Sequence, residues 1–296
     1  MKTTYFKNSF GDTLYGNAWE IASPKALVLI VTGMCEHSGR YNDFATFLNN
    51  NGYSALCIDH YGQGVGKNGP LGRAAYNYFD KFMKTIDEII LKYKKDHRNL
   101  PVYIFAHSMG SFVTQGYIEN YHNADKVVLC GSNHIGVSGK LGYFLARIIV
   151  HKFNRDKDAK FLDNLAVGGF AKSVKDGKFK SAWISYNENN CRTYDEDPFS
   201  GYKVSNGFYL EFFKGLSKLN KSSNLNNISK DLPIYIIAGD SDPVGKNGKG
   251  PRKLDLMYKK HGLNSRITIY PKMRHEILNE NERKIVYQNV LDFFNE

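Results

Sequence analysis

A short apolar run, Val102-Tyr103-Ile104-Phe105, leads into Ala106-His107-Ser108-Met109-Gly110, and a helical pattern begins at once behind it. No other stretch constrains the fold as strongly. The run has the length and composition of a buried strand. A strand that passes into a helix with no intervening loop must turn sharply. Small residues two before the serine (Ala106) and two after it (Gly110) let such a turn pack against its neighbours. A serine at the apex has its hydroxyl lifted clear of the sheet, with the first N–H groups of the helix aimed at the same point. Alone, the string also fits an ordinary strand–turn–helix, so its surroundings must decide.

Those surroundings alternate short apolar runs with amphipathic segments. Thr3–Phe10 and Thr13–Glu20 read as a hairpin turning at Gly11-Asp12. Ala26–Val31, Ser54–Ile58, Val102–Phe105 and Lys126–Cys130 read as strands, and Ala26–Val31 is continuous enough to be buried on both faces. Helical patterns fill Tyr41–Asn50, Tyr78–Lys95 and Gly110–Asn120. The rhythm stops after Cys130, resumes with strands at Ile234–Ala238 and Arg266–Tyr270, and closes with a helix over Asn281–Phe294. The expected architecture is α/β: a mostly parallel, doubly wound sheet with an inserted, mainly helical segment. Residues 1–130 and 232–296 form the two parts of the core, and 131–231 form the insertion, on the sheet edge where ligands bind.

With 296 residues, 42% of them hydrophobic, the chain has enough apolar material for one large domain carrying an insertion. Cys35, Cys57, Cys130 and Cys191 lie far apart without a C-x-x-C pair, which suits reduced thiols and neither a disulfide frame nor a zinc site. Met1–Lys7 lacks the apolar stretch of a secretory signal. Leu141–Val150 is too short to cross a bilayer and contains Arg147. A cytoplasmic, soluble protein is expected, with no metal and no cofactor. The net charge of +11 favours anionic surfaces. No long basic block or nucleic-acid module accompanies it, so nucleic acid is not an expected partner.

Ligands of open α/β sheets sit beyond the carboxyl ends of the strands. The candidate reactive residues lie at such ends. Ser108 follows one strand, Asp240 and Asp242 follow the Ile234 strand, and His275 follows the Arg266 strand. A serine hydroxyl is a weak nucleophile until a histidine takes its proton. The histidine in turn needs a carboxylate to fix its tautomer. Of the histidines near strand ends (His37, His60, His107, His134 and His275), only His275 lies after the last strand and before the closing helix. Asp242 is preferred to Asp240, which sits nearer the strand end, where it is placed to cap or to form a salt bridge. A developing oxyanion needs two donors. The N–H of Met109 and, from the loop after the Ala26 strand, the N–H of Met34 are placed to serve. Two glycine-rich stretches, Gly62–Gly66 and Gly245–Gly250, lack the spacing of nucleotide loops and are expected to be surface turns.

Together, Gly33-Met34-Cys35-Glu36-His37-Ser38-Gly39-Arg40-Tyr41, Asp59-His60-Tyr61-Gly62-Gln63-Gly64, Ala106–Gly110, Gly239-Asp240-Ser241-Asp242 and His275 resemble the monoacylglycerol lipase/lysophospholipase group of α/β-hydrolases. The likeness runs from about residue 20 to 296 and weakens across the insertion. It implies Ser108 as nucleophile, Asp242 as acid, His275 as base and Met34 and Met109 as oxyanion donors. It also implies an acyl-ester lipid substrate and a cap that lines an acyl tunnel. Thr32 stands where the family usually has histidine, Ala106 where the elbow has its first glycine, and Ser111 where another glycine is frequent. None of these changes removes a catalytic group.

In such a cap Leu141–Val150 reads as a buried spine rather than a lipid-facing surface. Lys140–Lys180 carries ten Lys/Arg against four Asp/Glu, a bias that suits peripheral contact with anionic membrane. A short-chain esterase, an acyltransferase and an aminopeptidase-like hydrolase share the same core. The last would need carboxylates near Ser108, and Glu188, Asp195, Glu196 and Asp197 are the obvious cluster. A non-catalytic binding protein on this fold would have lost triad members, which this chain keeps.

Overall fold

The computed structural model describes residues 1–65, 69–174 and 178–296. Eight strands form one sheet: β1 (Lys2–Lys7), β2 (Thr13–Trp19), β3 (Leu27–Val31), β4 (Ser54–Ile58), β5 (Val102–His107), β6 (Lys126–Cys130), β7 (Ile234–Gly239) and β8 (Ser265–Tyr270). Their spatial order is β1-β2-β4-β3-β5-β6-β7-β8. β1 and β2 pair antiparallel at one edge, and every pairing from β4 to β8 is parallel. The hairpin turns where the sequence places it, with Gly11 at φ +84.

Strand alternation splits the apolar core into two layers. In β3, Leu27, Leu29 and Val31 join one cluster while Val28 and Ile30 join the other. Helices α1 (Asn42–Asn50) and α11 (Arg283–Asn295) cover the second face. Helices α2 (Tyr78–Asp96), α3 (Met109–Asn120) and α10 (Lys249–Lys260) cover the first. Helix α10 is absent from the sequence reading. Its buried side chains, Pro251, Leu254, Asp255 and Tyr258, mix a proline and a charge into a lysine-rich stretch and so carry little apolar periodicity.

Between β6 and β7 the chain forms α4 (Gly136–Ile149), α5 (Lys160–Ala166), α6 (Gly168–Ser173), α7 (Glu188–Glu196), α8 (Asn206–Leu216) and α9 (Ser222–Leu225). The expected buried spine is overturned here. α4 buries Gly139, Gly142 and Ala146, and exposes Leu141, Phe144 and Ile148. Its small residues permit close approach to α8. A Cβ on Gly142 would sit 2.7 Å from the Phe213 ring. The larger apolar side chains therefore face outward.

The glycine loop after β4 also departs from expectation. Gly62, Gln63 and Gly64 are buried, not at the surface, while Gly66 lies outside the described residues. The second stretch is a turn leading into α10, with Lys246, Asn247 and Lys249 exposed and Gly248 at φ +81.

Candidate active site

Ser108 joins β5 to α3 at φ +49, ψ −117. A non-glycine residue held there stores on the order of 1–3 kcal/mol of strain, which persists only where the surroundings fix it. They do. The Ser108 N–H donates to the Cys130 carbonyl at 2.9 Å. The Ser111 hydroxyl bonds the Ser108 carbonyl at 2.6 Å, so the serine in place of glycine adds a tie. A Cβ on Gly110 would fall 2.4 Å from the carbonyl oxygens of Val31 and Thr32, which explains why glycine stands two residues after the serine. Ala106 is fully buried in β5, where a small side chain suffices.

His275 and Asp242 meet at 3.0 Å through Nδ1 and Oδ2. Asp242 is completely buried and His275 nearly so. The other Asp242 oxygen accepts the Val244 N–H at 2.8 Å, which holds the carboxylate in its turn. With Nδ1 donating to the carboxylate, Nε2 is the basic nitrogen of the imidazole. Asp240 is engaged elsewhere: its carboxylate accepts from Lys272 N–H at 3.0 Å and from the Ser241 hydroxyl at 2.8 Å.

Met34, Ser108, Met109 and His275 all line one cavity of about 470 Å³. Its wall is largely apolar, with Phe112, Phe170, Trp183, Phe212, Phe213 and Val244 among the lining side chains. The Trp183 ring lies 5.3 Å from that of His275. As the first residue of α3, Met109 has an N–H without an intrahelical partner. A Cβ on Gly33 would sit 3.2 Å from that of Ser108, so the loop holding Met34 passes close by the serine. Cys35 is buried at φ +57, and burial pushes its thiol pKa up, opposite to a reactive thiolate.

Of the acidic cluster considered for an ammonium group, only Asp195 lines the cavity, where it accepts the Lys180 N–H. Glu188 pairs with Lys178, and Asp197 pairs with His37 at 2.9 Å.

The sequence reading gave no role to a buried ionic network beneath the site. His107 Nδ1 lies 3.1 Å from Glu36 Oε1. The same carboxylate takes the Tyr41 hydroxyl at 2.8 Å and the Gly33 N–H. Arg40 reaches Glu36 at 3.2 Å and grips Glu276 with two bonds at 2.6 and 2.7 Å. Burial would push the Glu36 carboxyl up. The hydrogen bond and charge of His107, then Arg40 and Tyr41, outweigh it and hold its pKa at about 2. The network joins the Met34 loop, the Ser108 turn and the His275 loop. The available signal is position: Glu36, Arg40 and His107 lie within the motifs, and Glu276 directly follows His275.

The serine aminopeptidase S33 family (Hydrolase_4) matches residues 22–282. The chain belongs to that family. It is 31% identical to the monoglyceride lipase of Homo sapiens over 246 residues, 79% of this chain and 71% of the relative. It is 24% identical to the probable lysophospholipase L2 of Haemophilus influenzae over 302 residues, 92% and 84% of the two chains. A carboxyl esterase from Bacillus coagulans superposes with a TM-score of 0.86 at 25% identity, covering 99% of this chain and 97% of the other. The fold is thus that of the α/β-hydrolases, as the motifs imply. For this S33 member the segment between β6 and β7 supplies Phe170, Trp183, Phe212 and Phe213 to the cavity, and the sheet rim supplies Ser108 and His275.

Proposed function

We propose that the protein is a serine carboxylic-ester hydrolase that cleaves single-acyl lipids, monoacylglycerol or lysophospholipid, through an acyl-enzyme. The observation carrying this reading is His275, held by buried Asp242 at 3.0 Å, on an apolar cavity that Ser108 also lines. Ser108 attacks the ester carbonyl and His275 Nε2 takes its proton, with Asp242 stabilising the imidazolium. The N–H groups of Met34 and Met109 hold the oxyanion. The intermediate collapses, His275 protonates the departing alcohol, and water activated by the same imidazole releases the fatty acid. An aromatic cavity of this size suits one acyl chain better than a charged peptide. The names of the human and Haemophilus relatives support the same substrate class.

Residues 131–231 act in this reading as a cap over the acyl cavity. The outer face of α4 carries Val137, Leu141, Phe144 and Ile148 at helical spacing, between 57% and 78% exposed. Phe153 and Phe161, both exposed, follow it. Lys140, Arg147, Lys152, Lys157 and Lys160 are exposed alongside. An apolar stripe flanked by cations suits peripheral contact with an anionic bilayer, the source of such a substrate. Among the described residues no helix is long and apolar enough to cross a membrane. Four unpaired, buried cysteines support a reducing compartment such as the cytoplasm.

The test is a turnover panel of monoacylglycerol, lysophospholipid, short p-nitrophenyl esters and aminoacyl amides. The single-acyl lipids should exceed the amides in kcat/KM by at least about a hundredfold. Preferred cleavage of the amides contradicts the proposal.

A further inference from the structure

The buried segment 59–64, directly after β4, has a role that its glycines conceal. Gly62 and Gly64 adopt φ +68 and +84. A Cβ on Gly62 would collide with the Arg73 carbonyl oxygen at 2.0 Å, and one on Gly64 with the Asp59 carboxylate at 2.4 Å. Between them Gln63 is 1% exposed. Its Nε2 donates to the Gly33 carbonyl at 2.8 Å, and its Oε1 accepts the Cys35 N–H at 2.7 Å. One carboxamide therefore clasps the residues on both sides of Met34.

The rest of the loop is held as firmly. Glu36 takes the Gly33 N–H, and His60 Nε2 bonds the Thr32 carbonyl at 3.0 Å. The Cys35 carbonyl accepts from Gly201 N–H at 2.9 Å and from the Tyr194 hydroxyl at 3.1 Å. Among the described residues the Met34 N–H has no acceptor, although the N–H groups of its two neighbours, Gly33 and Cys35, both do. Cys35 keeps its left-handed conformation because bonds on both sides fix it.

We propose that Gln63 is a positioning residue for the reaction: its carboxamide orients the Met34 peptide, so that the free N–H faces the oxyanion formed at Ser108. The inference rests on the reading of this cavity as an ester-hydrolase site. An oxyanion donor works only when it is aimed before charge develops, and loss of one donor costs about 10²–10³ in kcat. Loosening the brace leaves the donor present but poorly aimed. The ground-state ester, held by the acyl cavity, loses little.

Steady-state kinetics on a soluble p-nitrophenyl ester, with inhibition by an alkyl trifluoromethyl ketone, test this. Gln63→Met keeps the volume and removes both bonds. Its kcat should fall about 10- to 100-fold with KM within about threefold, and ketone affinity should fall by the same factor as kcat. Gln63→Glu keeps the acceptor for Cys35 N–H, but sets a carboxylate oxygen against the Gly33 carbonyl until the acid is protonated and regains its donor. The ratio of its kcat to that of wild type should therefore rise as pH falls from about 8 to about 6, since burial raises a carboxyl pKa.

A merely structural role predicts lowered stability with unchanged ketone affinity and a flat ratio, and that result overturns the proposal. Should Gln63→Met not fold, the Gln63→Glu ratio decides alone. A wild type without ester turnover contradicts the hydrolase reading itself. An active wild type with full kcat in Gln63→Met contradicts only the brace.

Discussion

Helices α3 and α4 are both rich in apolar residues, and they meet water in opposite ways. Behind Ser108, α3 buries every residue from Met109 to Glu119. α4 buries three small residues and turns Val137, Leu141, Phe144 and Ile148 to solvent. Apolarity alone does not decide which side of a helix goes inward. In α4 the decision belongs to Gly139, Gly142 and Ala146, which let the backbone lie against α8. A Cβ on Gly139 would stand 2.8 Å from the Leu216 carbonyl oxygen, as tight as the Gly142–Phe213 approach. In the proposed reading this exposed stripe is the face that meets the bilayer. α3 is enclosed along its length behind Ser108, whereas α4 leaves one apolar face open.

The core side of this contrast should break hardest at the ionic network beside the Ser108 turn. Glu36→Gln leaves Arg40 and His107 facing a neutral amide, and loss of one partner of a buried pair costs about 3–5 kcal/mol. Because Glu36 titrates near 2 when folded, against an ordinary value of 4.5, its stabilising charge is present above pH about 4.5 and lost as pH falls through about 2. The stability gap between wild type and Glu36→Gln in urea melts should therefore be largest near neutrality and should narrow below pH about 4.5. A gap independent of pH would separate Glu36 from the network.

Opposite sides of α4 sharpen the contrast further. Gly142→Leu overpacks the α8 contact and should destabilise by about 1–3 kcal/mol. The pair Leu141→Asp and Phe144→Asp, on the outer face, should change stability by no more than about 0.5 kcal/mol. The same pair should abolish salt-sensitive co-sedimentation with anionic vesicles while leaving turnover of a soluble ester intact. Vesicle binding that survives both substitutions removes the membrane role of α4.

The sheet was legible because its strands are continuous apolar runs bounded by turns. Ser54–Ile58 and Lys126–Cys130 fall where the pattern puts them. The meeting of Ser108, His275, Met34 and Met109 at one rim follows from strand ends alone, since a parallel sheet carries all its carboxyl ends to one side. What escaped were features without a periodic signature. Gln63 reads as loop filler until the fold carries it beneath Gly33 and Cys35. The ionic grip of Arg40 on Glu276 spans 236 positions. The outward face of α4 follows from Gly139, Gly142 and Ala146 packing on α8, a small-residue signal that apolar periodicity does not weigh.

Whether Ser108 is the nucleophile is decided by active-site labelling. Intact-mass and peptide analysis after fluorophosphonate treatment should find one phosphonyl adduct, on Ser108. In Ser108→Ala the adduct should disappear, and kcat on a soluble ester should fall by about 10⁴–10⁶. An adduct on another residue, with turnover retained in Ser108→Ala, would contradict the account.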